Sequence, residues 1–156
     1  MTEPIPKTLS IRRALSSDAG RIRELTRSSY ARWVPAIGRE PLPMRADYDR
    51  AVREHMIDLL FAGAELAGLI ETVDRGDHLL IENVAVAPAF QGQGHGRALL
   101  GHAERLAASL GLRELRLYTN KQFTGNVDFY RRRGYAVDRE EPFMGGFTVY
   151  MSKALA

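Results

Sequence analysis

The chain has 156 residues, 45% hydrophobic and 26% charged. That is enough for one domain with a buried core, too apolar for a disordered chain, and it lacks the run of roughly 18 apolar residues that a membrane-spanning helix needs. The absence of cysteine excludes disulfides, a thiol nucleophile and thiolate zinc sites, and a net charge of +3 is too small and dispersed to argue for nucleic acid, though it leaves room for a local anion site.

Met1 to Ser10 has no apolar h-region, so no secretion signal is expected and the cytoplasm is the expected compartment. Thr8–Arg13 alternates as a short strand. Ser16, Ser17 and Asp18 offer helix caps, and Ile22, Leu25, Ser29 and Trp33 recur at helical spacing, predicting a helix from Asp18 to about Trp33. Pro35, Gly38, Pro41 and Pro43 break it. A second helix starts near Asp47, with Tyr48, Val52 and His55 or Met56 on one face. Met56–Phe61, Glu65–Val73 and Leu79–Ala87 then read as strands of an antiparallel meander, turning at Ala62-Gly63 and at Asp74 to Asp77.

Pro88 to Gly96 is a glycine-rich loop. From Arg97, the residues Leu99, Ala103, Leu106 and Leu110 predict a helix, with Gly111 at its C′ position. Leu115–Tyr118 is the next strand. Strand, glycine loop, helix and strand form a βαβ unit, so Leu79–Ala87 and Leu115–Tyr118 are expected to run parallel. Thr124 or Asn126 caps a shorter helix to about Arg132, Gly134 ends it, and Tyr135–Val137 and Phe147–Lys153 are strands joined through Glu140–Gly146. The sum is a mixed, largely antiparallel α/β domain of about seven strands and four helices with one central parallel pair.

The loop Gln91-Gly92-Gln93-Gly94-His95-Gly96-Arg97 carries the most chemistry. Alternating glycines let a ligand approach the main chain, and the first amides of the following helix have no internal partners. Together they suit a pyrophosphate, with Arg97 adding charge at the rim. A phosphate loop ending in Gly-Lys-Ser/Thr is absent, and G-x-G-x-x-G fails because Arg97 or Leu99 stands where the third glycine belongs. What remains is Gln-x-x-Gly-x-Gly at Gln91, Gly94 and Gly96. A flexible turn with no ligand is the bland alternative.

With that loop, the chain resembles the GCN5-related N-acetyltransferase family, whose Q/R-x-x-G-x-G/A loop binds the pyrophosphate of acetyl-CoA. A second element matches in order: Asn126, Tyr130, Gly134 and Tyr135 fit the family's N-x-x-x-Y-x-x-x-G-F/Y signature. The resemblance is strongest from Leu79 to Tyr135. It implies that the fourth and fifth strands splay, that a bulge in the fourth frees amides, and that the pantetheine arm lies in the gap. It implies cofactor contacts from the main chain at Val84, Ala85 and Val86, from the amides of Gln91, Gly92, Gln93, Gly94, His95, Gly96 and Arg97, and from Asn126, whose other reading is a helix cap. By the same resemblance Tyr130 approaches the cofactor sulfur as general acid, and many members form homodimers.

A free amine attacking a thioester must lose a proton. Glu82, a carboxylate in an apolar strand two residues before Val84, is the candidate base; strand alternation puts the two on one face unless a bulge intervenes. Glu71 is the reserve, and Glu140 and Glu141 are weaker choices. Tyr135 reads as core. His95 reads as an exposed loop side chain contributing only its backbone. His55, His78 and His102 have no metal spacing, so no metal is expected. Arg131, Arg132 and Arg133 point in three directions on a helix, a solvated face with one or more toward a cofactor phosphate. No G-x-S-x-G elbow supports a serine hydrolase.

The acceptor site is expected between Tyr30 and Tyr48 and at the Glu140–Phe147 loop, where Trp33, Met44, Tyr48, Phe143 and Met144 are candidate walls and also candidate core. The expected function is transfer of acetyl from acetyl-CoA to an amine, with the lean to a small molecule. The alternatives are an acyl-CoA-binding or regulatory domain without turnover, and a phosphate-binding domain unrelated to coenzyme A.

Overall fold

The computed structural model describes residues 8–156, and residues 1–7, on which most of the secretion-signal reading rests, lie outside it. The elements run β1 (Leu9–Arg13), α1 (Ala19–Tyr30), α2 (Val34–Ile37), α3 (Leu42–Arg45), α4 (Tyr48–Glu54), β2 (Met56–Ala62), β3 (Glu65–Asp74), β4 (Leu79–Val86), α5 (His95–Ser109), β5 (Glu114–Asn120), α6 (Asn126–Arg131), β6 (Ala136–Phe143) and β7 (Gly146–Ala154). Seven strands form one sheet in the order β1-β2-β3-β4-β5-β7-β6. β2, β3 and β4 make the expected antiparallel meander, and β1 adds to its edge antiparallel to β2. The β4–β5 pair is parallel, because α5 returns the chain across one face of the sheet.

Each face is covered. Leu99, Leu100, Ala103 and Ala107, one stripe of α5, pack on Leu79, Ile81, Leu115 and Leu117 of the central strands. On the other face Ile22 and Leu25 of α1 and Tyr48 and Ala51 of α4 cover Leu59, Leu69 and Ala85. Truncating a fully buried leucine such as Leu99 or Leu115 to alanine would cost about 2–5 kcal/mol.

Helix ends follow local chemistry. Asp47 caps α4 by accepting from the Arg50 amide at 3.2 Å. Gly111, at φ +74°, ends α5, and Leu112 donates back to the Ala107 carbonyl at 2.9 Å. Several boundaries differ from expectation. α1 stops at Tyr30 and tightens to a 3-10 turn over Ala31–Trp33. The proline-rich stretch still forms two single turns, α2 and α3, since each proline sits early in its turn where no amide is required. α4 ends at Glu54, so His55 leaves the helix and Met56 opens β2. Gly125, at φ +89°, precedes α6, so neither Thr124 nor Asn126 is its cap. Glu140–Phe143, taken as part of a connection, belongs to a long hairpin, β6 turning at Met144-Gly145 into β7. Exposure along nearly all of β6, with four consecutive charged residues, masked its strand period.

Candidate active site

The site opens where β4 and β5 part. Their ladder runs only from Leu79–Ile81 against Leu115–Leu117, while β4 continues to Val86 and β5 to Asn120. Against β3, Asn83 pairs with Glu71 but Ile81 with Thr72, which makes Glu82 the extra residue of a β-bulge. The bulge reverses the strand's phase. Leu79 and Ile81 join the core under α5, Ala85 joins the core under α1, and Val84 and Val86 pack toward α5. Expected splay and bulge are therefore both present. The alternation that would set Glu82 beside Val84 is broken by the bulge.

Backbone direction follows. The Ala87 amide donates to Ala67 of β3 at 2.8 Å. Two-residue alternation then turns the polar backbone of Val84 and Val86 away from β3 and into the gap. In accord, the Val84 carbonyl accepts from the Tyr30 hydroxyl at 3.4 Å and the Val86 carbonyl from Gln91 Nε2 at 3.0 Å. Ala85 has its side chain buried in the α1 core and is not among the residues lining the cleft. The cleft itself has a volume of about 490 Å³.

The glycine loop forms one end. Gly92 and Gly94 have φ of +76° and +87°, and Gly94 is the N-cap of α5. Gly96 serves packing: a Cβ there would stand 3.1 Å from Phe129 Cζ of α6. Gln91, Gly92, Gly94, His95, Gly96 and Arg97 all line the cleft. Gln93 does not; its amide turns back to the Ala89 carbonyl at 3.1 Å. His95 is not an exposed loop residue but the buried first residue of α5, with Nδ1 3.0 Å from the Phe90 carbonyl. Of the three consecutive arginines, only Arg133 reaches the cleft. Its guanidinium lies 3.9 Å from the Phe129 ring centroid, and its Nε is buried without a hydrogen-bond partner. Burial, and then the charges of Arg97 and Arg132, lower its pKa. Arg97 and Arg133, which both line the cleft beside the loop, suit an anion.

At the middle of the cleft Glu82 accepts from the Tyr118 hydroxyl at 2.8 Å. Burial first, then the Glu82 charge, push the Tyr118 phenol well up, so it stays a donor. Tyr130 stands between Phe129 and Tyr135, ring centroids 5.4 and 5.9 Å away, and burial raises its hydroxyl to about 12. Asn126, in the first turn of α6, donates to Thr119 Oγ1 at 3.3 Å and lines the cleft. The reserve base Glu71 does not line it. It is buried and bound to His55 Nδ1 at 2.5 Å, and burial holds its pKa up.

Asn83 was unassigned on sequence. It is buried, accepts from Tyr30 at 3.0 Å, and donates to Thr26 at 3.3 Å and Tyr48 at 3.4 Å. This network ties α1 and α4 to the bulge, so the polar residue after Glu82 in an otherwise apolar strand was the readable signal.

Trp33 stacks on Phe123 at 4.9 Å, and both line the cleft together with Phe143 and Arg39. Met44 and Tyr48 are core, and Met144 is exposed at the hairpin turn. Among the described residues no group of three or more His, Cys, Asp or Glu could hold a metal ion, and no helix is long and apolar enough to cross a membrane.

Residues 21–135 match the model of the acetyltransferase (GNAT) family. The chain is 37% identical over 79 residues to mouse (Mus musculus) N-alpha-acetyltransferase 80, covering 51% of this chain and 23% of that protein, so it spans under a quarter of that curated relative. The fold superposes on PaiA N-acetyltransferase from Thermoplasma acidophilum in complex with coenzyme A, with a TM-score of 0.80, 22% identity and coverage of 94% and 99% of the two chains. A GNAT family acetyltransferase from Elizabethkingia anophelis with acetyl-CoA bound gives a TM-score of 0.68 at 19% identity, covering 94% and 98%. The chain belongs to the GNAT acetyltransferase family.

Proposed function

From that membership we propose that the chain moves the acetyl group of acetyl-CoA to the primary amine of a small molecule by direct attack. The observation that carries this reading is the gap beyond Ile81, into which the backbone of Val84 and Val86 turns beside the glycine loop. An extended pantetheine arm fits such a gap as a strand would. A strand-edge amide aimed at the thioester oxygen stabilises the charge that develops there. The amides of the loop from Gln91 to Arg97, with Arg97 and Arg133, take the pyrophosphate. Asn126 supports the arm from the β5 side.

Glu82 takes the proton that the attacking nitrogen must lose; Tyr118 orients its carboxylate. A C–N bond forms, the C–S bond breaks, and the departing thiolate takes a proton from Tyr130. A hydroxyl raised to about 12 is still protonated at neutral pH, as a donor must be. A small acceptor is favoured because aromatic rings, Trp33, Phe123 and Phe143, wall part of the cleft. Among the described lining residues Glu82 is the one carboxylate, so the cleft offers no acidic groove to a basic peptide tail.

The test is acetyl-CoA against a panel of amines, read as thiol release, with Tyr130→Phe and Glu82→Gln in parallel. Turnover lost in the variants with coenzyme A binding retained supports the roles given. Coenzyme A binding with no turnover on any amine would replace this reading with a non-catalytic acyl-CoA-binding domain.

A further inference from the structure

We propose that the acceptor is an amine that also carries a carboxylate, and that Arg39 is the residue that recognises it. This rests on the acetyl-transfer reading above and adds the acceptor's chemistry to it.

Arg39 follows Gly38, whose φ of +70° closes α2 and turns the chain into the cleft. Its guanidinium is held 5.5 Å from the Phe143 ring centroid. Its hydrogen bonding is thin: one long bond from Nη1 to the Glu40 carbonyl, 3.4 Å, and a buried Nε with no partner. A guanidinium has five donors in a fixed fork, so most of its capacity is unspent.

The acids nearest in sequence to Arg39 and to Phe143 are bridged to other cations. Glu40 is bridged to Arg27 at 2.6 Å, Glu140 to Lys121 at 3.0 Å and Glu141 to Arg139 at 2.8 Å. Glu82 is bonded to Tyr118. Arg32, the other cation near this wall, is fixed on Gln91 at 3.1 Å and lies over Trp33. Arg39 thus stands in the aromatic lining with one long bond to its neighbour's carbonyl and no carboxylate bridged to it, whereas Arg32 is held to the glycine loop through Gln91. A single guanidinium matches the charge and the two-oxygen geometry of a carboxylate. A phosphate would ask for more cations or a backbone nest than this lining supplies.

The experiment uses matched acceptors: a series of ω-amino acids of increasing length beside the same compounds as carboxamides, with acetyl-CoA and thiol release. The wild-type chain should favour the acid over its amide by about tenfold or more in kcat/KM at the best length, through KM. Arg39→Gln should bring that ratio close to one, and Arg39→Lys should restore part of it, with coenzyme A affinity unchanged in both. Equal rates on acid and amide in the wild type, a preference that survives Arg39→Gln, or a stronger preference for phosphoethanolamine would overturn the proposal. If no amine of either kind is acetylated while coenzyme A binds, the transfer reading fails instead. The carboxylate site is then read by thermal unfolding of the coenzyme A complex. Amino acids should raise Tm in the wild type and not in Arg39→Gln, and no rise in the wild type would overturn the proposal.

Discussion

Gly68 sets the height of the strand that lines the cleft, and Gly68→Ala is expected to damage stability and cofactor binding together. A Cβ at Gly68 would stand 2.9 Å from the Ala85 carbonyl oxygen, 3.1 Å from Leu99 Cδ1 and 3.7 Å from Val86 Cα. The first of these is backbone, so β4 itself must move by a few tenths of an ångström. Such overpacking costs about 1–3 kcal/mol, or a Tm lower by roughly 3–10 °C for a chain of this size. Because Ala85 lies between Val84 and Val86, the displacement also shifts the backbone groups turned into the gap. Weakening one hydrogen bond by about 0.7–1.4 kcal/mol would raise the Kd for coenzyme A about three- to tenfold. The control is the same substitution in α5. A Cβ at Gly101 meets only the flexible end of Arg105, at 3.4 Å. Gly101→Ala should therefore raise Tm by about 2–4 °C through helix propensity and leave coenzyme A affinity alone. Thermal unfolding and calorimetry on the two variants decide it. Gly68→Ala with a Tm within about 1 °C of wild type and an unchanged Kd would refute the reasoning.

Glu82→Gln should lower kcat by about 10²–10⁴, and Tyr130→Phe by a smaller factor, each with coenzyme A affinity kept, measured by steady-state kinetics on the best acceptor. Tyr135→Phe should leave stability unchanged or raise it by up to about 1 kcal/mol, because the Tyr135 hydroxyl is buried without a hydrogen-bond partner; denaturant unfolding reads this. Asp18 is held down to about 2, first by its hydrogen bonds from Arg12 at 2.8 and 3.1 Å. A depressed carboxylate contributes stability above its unfolded pKa, which is lost as pH falls from about 4 through about 2. Asp18→Asn should therefore flatten the stability profile in that window, as followed by urea unfolding at stepped pH.

The central architecture was legible because its signals are local and strong. Leu99, Ala103 and Leu106 repeat at helical spacing, and glycines ahead of them mark where a backbone must turn tightly. The parallel β4–β5 pair follows from the order of elements alone. What escaped reading depends on neighbours distant in sequence. The burial of His95 comes from Phe90 and the seat of α5 on the sheet. The side chain of Ala85 lies in the α1 core because a bulge at Glu82 reverses the face of everything after it, and the apolar pattern does not fix at which residue the strand bulges. Glu71 is paired with His55 away from the cleft, and Glu82 with Tyr118 inside it, pairings that only the sheet register brings about. Only the start of β6 reads as strand because nearly every residue of it is exposed and the consecutive charges Asp138, Arg139, Glu140 and Glu141 leave no alternation to read.

Isothermal titration of the purified chain with coenzyme A and with acetyl-CoA tests most directly whether the gap between β4 and β5 is a thioester site. Saturation at one ligand per chain is predicted, tighter than about 100 µM, with either ligand displacing the other. Silence from both ligands up to about 1 mM, in a chain shown to be folded, would contradict the account.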